Sequence, residues 1–324
     1  MSELTQTMRT QCLGRYQFDL PSSFSLNSSP ADAKPAATLY FGRDKDFKTV
    51  DFGVLAEGVT PQQFAAAILK RRDQIASKSN DEAHASMLVA FEKLNDREIM
   101  LESYLGTEVD GGARAHELHL LVEDNHVVLK TESFKGADKP AEECLARLAT
   151  QVRKVADPAQ AGPGFCLGQV IIDADNDFED ASVSFSSNDR KHREMVLDAS
   201  VNGFKRDAAD PGLVERTLGS LSAAGNTKPQ VICKGDLQLA GQPGQQLVMG
   251  SDLGGLHGQM MVAESYPPSP SLATSSLFLQ LNGGRLEGDD EDVTSSLTDN
   301  EAVALWDAIL KSARPRPNAV KASR

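Results

Sequence analysis

Ten residues near the start, Cys12-Leu-Gly-Arg-Tyr-Gln-Phe-Asp-Leu-Pro21, hold a thiol, a guanidinium and a carboxylate close enough in sequence for nucleophilic or acid–base chemistry. Much of the stretch returns 154 positions later as Cys166-Leu-Gly-Gln-Val-Ile-Ile-Asp-Ala174. The second copy keeps the cysteine, leucine, glycine and aspartate, but it has Gln169 where the first has Arg15, and it lacks the proline. A shared reaction would retain the charged group, whereas a shared fold needs only a strand and a turn glycine. The motif therefore predicts the first strand of two related domains, the signature of an internal duplication.

Other clusters fail as chemical sites on spacing. His116-Glu-Leu-His119 has an odd separation, which on a strand sends the two imidazoles to opposite faces, and it is one residue short of a zincin helix motif. These histidines are expected at solvent-facing or core-edge positions. Asp173-Ala-Asp-Asn-Asp-Phe-Glu-Asp180 has the alternating carboxylates of a calcium loop, but Phe178 and Ser184 stand where glycine and glutamate are required, so it reads as an acidic hairpin loop. Gly219-Ser-Leu-Ser222 and Gly250-Ser-Asp-Leu-Gly254 do not give the nucleophile-elbow spacing. No phosphate loop or Cys-x-x-Cys occurs, and no catalytic set, cofactor site or metal site is expected.

The elements that carry these residues repeat in order. Strands are expected at Tyr16 to Leu20, Ala37 to Phe41 and Val50 to Leu55. Thr60-Pro61-Gln-Gln63 then combines an N-cap, a first-turn proline and a capping-box glutamine, opening a helix whose buried stripe is Phe64, Ile68 and Ile75. Four strands follow, and Pro140 opens a second helix carrying Leu145, Leu148, Val152 and Val155. After a Pro/Gly-rich stretch the series returns: strands from Val170, Ala181 and Met195, a helix at Asp210-Pro211, four strands, and a closing helix capped by Thr298-Asp-Asn-Glu301. The fold class expected is α+β, with two tandem structurally related domains, each an antiparallel sheet packed with two helices. Their bounds are 1–156 and 165–313, joined by a linker at 157–164 and followed by a disordered basic tail at 314–324.

The chain has 324 residues, of which 40% are hydrophobic, enough for two cores. Its net charge of −13 argues against nucleic acid and anionic membrane surfaces, and suits steering towards a basic partner. Nothing reaches the ~18 consecutive apolar residues of a membrane span, and Met1 to Thr10 contain no apolar leader core. Cys12, Cys144, Cys166 and Cys233 fall two to each half. Independent domains would favour pairing Cys12 with Cys144 and Cys166 with Cys233; the alternative is buried free thiols.

The stretch Cys12-Leu-Gly-Arg-Tyr-Gln-Phe-Asp-Leu-Pro21 resembles the opening of immunity proteins that protect bacteria from type VI secretion lipase effectors, in the group paired with the fourth class of those lipases. Gly164-Phe-Cys166 looks like the start of that family's C-terminal domain, and the resemblance covers both halves in order and length. It implies a periplasmic two-domain clamp that binds a cognate phospholipase effector and blocks substrate entry, with no catalysis of its own. It also makes disulfides plausible, the periplasm being oxidising. On that reading Asp173, Asp175, Asp177, Glu179 and Asp180, with Asp289, Asp290, Glu291 and Asp292, are candidates for steering a basic effector surface; an ordinary solvated face is the alternative. The rival function is an enzyme or small-ligand binder using the cleft between the two domains.

Overall fold

The computed structural model describes residues 3–27, 33–42, 48–109, 111–207, 209–224, 229–284 and 293–321. The first half runs β1 (Met8–Gly14), β2 (Tyr16–Pro21), β3 (Phe24–Leu26), β4 (Ala37–Phe41), β5 (Lys48–Ala56), α1 (Pro61–Ala76), β6 (Ser79–Asn80), β7 (Ala85–Ser86), β8 (Leu88–Asn95), β9 (Glu98–Tyr104), β10 (Ala113–Val122), β11 (Asn125–Phe134), α2 (Asp138–Ala149) and β12 (Val152–Lys154). The second half runs β13 (Phe165–Leu167), β14 (Val170–Ile172), β15 (Phe178–Ser187), β16 (Val196–Asn202), α3 (Leu213–Ala224), β17 (Gln230–Leu239), β18 (Gln242–Leu253), β19 (Leu256–Ser265), β20 (Ser276–Gly283), α4 (Asp299–Ser312) and β21 (Arg314–Pro315). The protein is α+β, and the strand pairs whose register is described, such as β10 with β11 and β18 with β19, are antiparallel. Among the described residues no helix is long and apolar enough to cross a membrane.

Two compact units form, but not at the expected bounds. One comprises Ser28–Ala156 and Gln169–Glu179; the other comprises Met1–Asn27, Asp157–Gly168 and Asp180–Arg324. The first 27 residues thus fold with the C-terminal half. The reason is strand pairing: β1 runs antiparallel to β13, with Leu13 opposite Leu167 and Gly14 opposite Cys166. The glycine of each Cys-Leu-Gly tripeptide turns the chain in the left-handed region, Gly14 at φ 58° and Gly168 at φ 59°, where a side chain would be strained.

Residues 157–164, expected as a linker, are also built into that unit. Asp157 caps a single 3-10 turn over Pro158–Gln160, and the Gly164 amide donates to the Ala319 carbonyl. Nor is 314–321 a free tail. β21 pairs with β2, and the buried Arg316 donates to the carbonyls of Gly14, Gly162 and Gly164. A guanidinium with several fixed donors satisfies backbone acceptors that would otherwise be buried unpaired, which composition alone could not reveal.

In the unit of residues 28–156 the sheet order is β4-β5-β11-β10-β9-β8. Helix α1 packs on β8, β9 and β10, and α2 packs on β10 and β11. The Thr60 capping box forms as the sequence requires, and Phe64, Ile68 and Ile75 are buried, each side chain contributing about 2 kcal/mol by removal from water. Helix α2 stops at Ala149, so Val152 opens a strand rather than extending the helical stripe.

In the other unit the order is β15-β16-β20-β19-β18-β17, with α3 on β18 and α4 on β2 and β19. The Thr298 capping box again forms, and Leu305, Trp306 and Ile309 are fully buried. Helix α3 starts at Leu213, not at the Asp210-Pro211 pair. Its first amides are met from the sheet, Leu213 N–H by the Tyr266 hydroxyl at 2.6 Å and Val214 N–H by Gln245 at 3.4 Å.

Candidate partner-binding site

Helix α1 covers only part of one face of its sheet. Beside it the same face continues as an open pocket of about 620 Å3, reaching across β4, β5, β11 and β10. Its floor is ionic. Arg71 donates twice to Glu117, Nη2 to Oε1 at 2.6 Å and Nε to Oε2 at 3.0 Å, and Lys130 Nζ stands 3.3 Å from the same carboxylate. Thr38 on β4 donates to Asp51 on β5 at 2.6 Å. Lys34, Lys78 and Glu132 line the exposed rim.

Behind Glu117 a hydrogen-bonded chain runs into the core. His119 Nε2 lies 3.3 Å from Glu117 Oε2, and His119 Nδ1 lies 2.9 Å from His126 Nε2. An ionised carboxylate only accepts, so His119 carries its proton on Nε2 and accepts at Nδ1 from His126. Burial opposes ionisation of Glu117, but the hydrogen bonds from His119 and Arg71 and the charges of Lys130 and Arg71 win, holding the carboxyl far below its usual range. Burial lowers both histidines, and His126 is pushed down to about 3. The His126 ring also meets Phe64 edge-on at 4.9 Å, tying this chain to the α1 core.

His116 and His119 do fall on opposite faces of β10, but neither is at the solvent or the core edge: both are fully buried. His116 Nε2 bonds the Ser133 hydroxyl at 2.8 Å, and Ser133 donates to Asp138 at the start of α2. Both imidazoles are hydrogen-bonded inside the sheet, His119 through both ring nitrogens and His116 through Nε2 alone.

Sequence reasoning missed the Arg71 pair, although a signal was present. Arg71 follows Phe64 and Ile68 at helical spacing, so a cation lies on the buried stripe of α1 and needs a buried anion. Glu117 and His119, two apart on a strand, share the face that supplies it.

The other unit has a corresponding pair. Arg216 on α3 donates to Glu264 on β19 at 2.6 Å, and Ser184 on β15 donates to Asp198 on β16. Near its α4 N-terminus, His257 bridges two carboxylates, Nε2 to Asp299 at 2.7 Å and Nδ1 to Asp252 at 2.8 Å. These bonds raise the imidazole above its ordinary value, Asp299 contributing most. Among the described residues no three His, Cys, Asp or Glu side chains gather into a metal site.

The acidic run at 173–180 is less free than expected. Glu179 is fully buried, Asp177 accepts from the Gly42 amide at 2.7 Å, and Asp173 and Asp180 are half-buried; Asp175 alone of the five is exposed. Asp289, Asp290, Glu291 and Asp292 lie outside the described residues. The cysteines pair across the duplicated motif and not within each half. Cys12 bonds Cys166, while Cys144 is a half-buried thiol and Cys233 an exposed one. Pairing β1 with β13 brings the two tripeptides together, whereas Cys144 lies on α2, in the other unit.

Residues 158–318 match a family described as the Tle cognate immunity protein 4 C-terminal domain. The chain is also similar to solved structures. The apo structure of immunity protein TplEi of the T6SS from Pseudomonas aeruginosa is 19% identical with a TM-score of 0.66, over 96% of this chain and 98% of that one. A chain of the crystal structure of the Tle4–Tli4 complex is 20% identical with a TM-score of 0.67, over 98% and 100%. TplEi complexed with "L" peptide is 20% identical with a TM-score of 0.61, over 96% and 99%. At these identities the likeness establishes the fold. No curated protein sequence matches the chain.

Proposed function

From a chain whose residues 158–318 belong to the Tle cognate immunity protein 4 C-terminal domain family, we propose an immunity protein that binds and inhibits a cognate type VI secretion phospholipase effector. It acts stoichiometrically, clamping the lipase and blocking access of substrate, without chemistry of its own. The observation that carries this reading is the family match. The likeness in fold over 98% of the chain supports extending it to the first half.

The lobes are two tandem, structurally related domains of duplicated origin. The identical order of six strands within each unit supports this, as do the Arg71–Glu117 and Arg216–Glu264 pairs on corresponding elements. The working compartment is the periplasm, where a disulfide such as Cys12–Cys166 persists. Acidic side chains, the exposed Asp175 and the sequence run from Asp289 to Asp292, which lies outside the described residues, steer the approach of a basic effector surface.

Co-expression tests the proposal. The chain is expected to co-purify with a lipase encoded beside it and to suppress that lipase's hydrolysis of phospholipid at equimolar ratio. Active lipase in the presence of excess chain, with no complex on a sizing column, would sink it.

A further inference from the structure

On the sheet face that carries α2, the unit of residues 28–156 holds a polar cluster with no counterpart in the other unit. Strand register places it: Glu102 stands opposite His116, Ala90 opposite Glu102 and Ser133 opposite Arg114, so these residues share one face, with Glu92 two places on from Ala90. The pair Arg71–Glu117 corresponds to Arg216–Glu264 and aligns the two units. Counted from Glu117 and Glu264, His116, Arg114 and Ser133 take the places of Ala263, Met261 and Leu281, all three of which are fully buried core. The same frame therefore closes with apolar packing in one unit. The polar cluster is a property of the other alone.

The charges of this cluster do not balance. Arg114 is taken up by Glu102 at 3.1 Å, by the face of Tyr104 and by the Gly111 carbonyl. Asp138 and Glu142 on α2 and Glu92 on the edge strand β8 remain; among the described residues none of the three is paired with a lysine or arginine, the exposed Lys139 included. Burial, together with the charges of Glu102, Glu92 and Asp138, raises the Glu142 carboxyl above its ordinary value against the pull of His116. Beneath it the fully buried His116 bonds Ser133 through Nε2 at 2.8 Å, and Ser133 gives its own proton to Asp138 at 2.5 Å. His116 Nδ1 has no hydrogen-bond partner and faces Glu142 Oε1 at 3.8 Å, beyond hydrogen-bonding reach. A buried nitrogen without a partner and carboxylates that repel one another share one remedy, an incoming cation that carries N–H donors. We propose that Glu92, Asp138 and Glu142 form a seat for a lysine or arginine side chain of the partner protein, above His116. The proposal rests on the immunity reading above and names the chemistry of one contact within it. Asp138 and Glu142 are half-buried, so their attraction for a cation exceeds that at an open surface.

The test follows the His116 ring and the Ser133 amide by NMR while the full-length protein is titrated with hexalysine, with hexaglutamate or with a neutral Gly/Ser hexapeptide. An acidic protein attracts hexalysine at many places, so the readout is local. The His116 ring resonances are expected to shift with hexalysine alone, and the affinity read there is expected to fall about tenfold or more in Glu92→Gln/Glu142→Gln. Glu92 is exposed and Glu142 half-buried, and Glu142→Ala supplies a second variant, with a loss in the same direction, should the double change disturb folding. A His116 ring that does not respond to hexalysine, or that responds equally in wild type and both variants, overturns the proposal. Titration with the neighbouring lipase separates the two claims. Equal lipase binding by wild type and variants overturns the seat and leaves the immunity reading standing; a lipase that never binds removes the immunity reading, while the hexalysine series still decides the seat.

Discussion

Cys12 and Cys166, the leading residues of the two Cys-Leu-Gly tripeptides, are bonded to each other with Cα atoms 5.8 Å apart across 154 positions of sequence. Closing so long a loop reduces the freedom of the unfolded chain, by about 4 to 5 kcal/mol in the chain-entropy account. Cys12→Ser/Cys166→Ser is expected to lower the urea midpoint accordingly. Peptide mapping without reductant should find this one crosslink, with Cys233 alkylated rapidly in the native protein and Cys144 slowly.

Arg71 and Glu117 are a sheltered pair, 13% and 6% exposed at their side chains. Removing one member strands the other charge, so Glu117→Gln is expected to cost about 3 kcal/mol in chemical denaturation. Replacing both, as Arg71→Met/Glu117→Leu, should recover much of that loss. Equal losses in the single and double variants would show that the pair's charge balance is not what matters.

The same region sets the acid limb of stability. His126 is pushed down to about 3 when folded, so between there and the ordinary 6.5 the unfolded chain binds the extra proton. Stability from this group is complete above pH 6.5 and drains away as pH falls to about 3. Glu117, also depressed, adds to the loss below its ordinary value of 4.5. Thermal melts should decline from pH 6.5 downward, and His126→Phe should flatten the upper part of that decline.

His257 has the opposite sign. Its bonds to Asp299 and Asp252 raise it, so its contribution is complete below 6.5 and disappears as pH rises through the higher folded value. It is partly exposed, and solvent screening keeps the effect small. An NMR titration of the imidazole should have its midpoint above 6.5, and Asp299→Asn should bring it down.

Arg316 ties the C-terminal segment to backbone near both tripeptides. Arg316→Ala leaves buried carbonyls of Gly14 and Gly164 without their donor and is expected to cost about 2 to 3 kcal/mol. Deleting residues 314–324 should destabilise at least as much.

What the sequence determined by itself was local. Thr60 with Gln63 and Thr298 with Glu301 announce helix starts because a capping box closes within four residues, and Ala37–Phe41 has the strand bounds expected of it. The paired Cys-Leu-Gly stretches pointed to the family for the same reason, being short and contiguous.

Only the tertiary structure decided which distant groups meet: Cys12 with Cys166, Arg71 with Glu117, and Arg316 with the glycine carbonyls. Such partners are chosen by the packing of whole sheets, where a buried charge or carbonyl takes whichever donor the fold brings within reach. That is why a tail that reads as disordered from its basic residues is an anchored strand, and why a histidine pair that reads as solvent-facing or core-edge lies buried in the sheet.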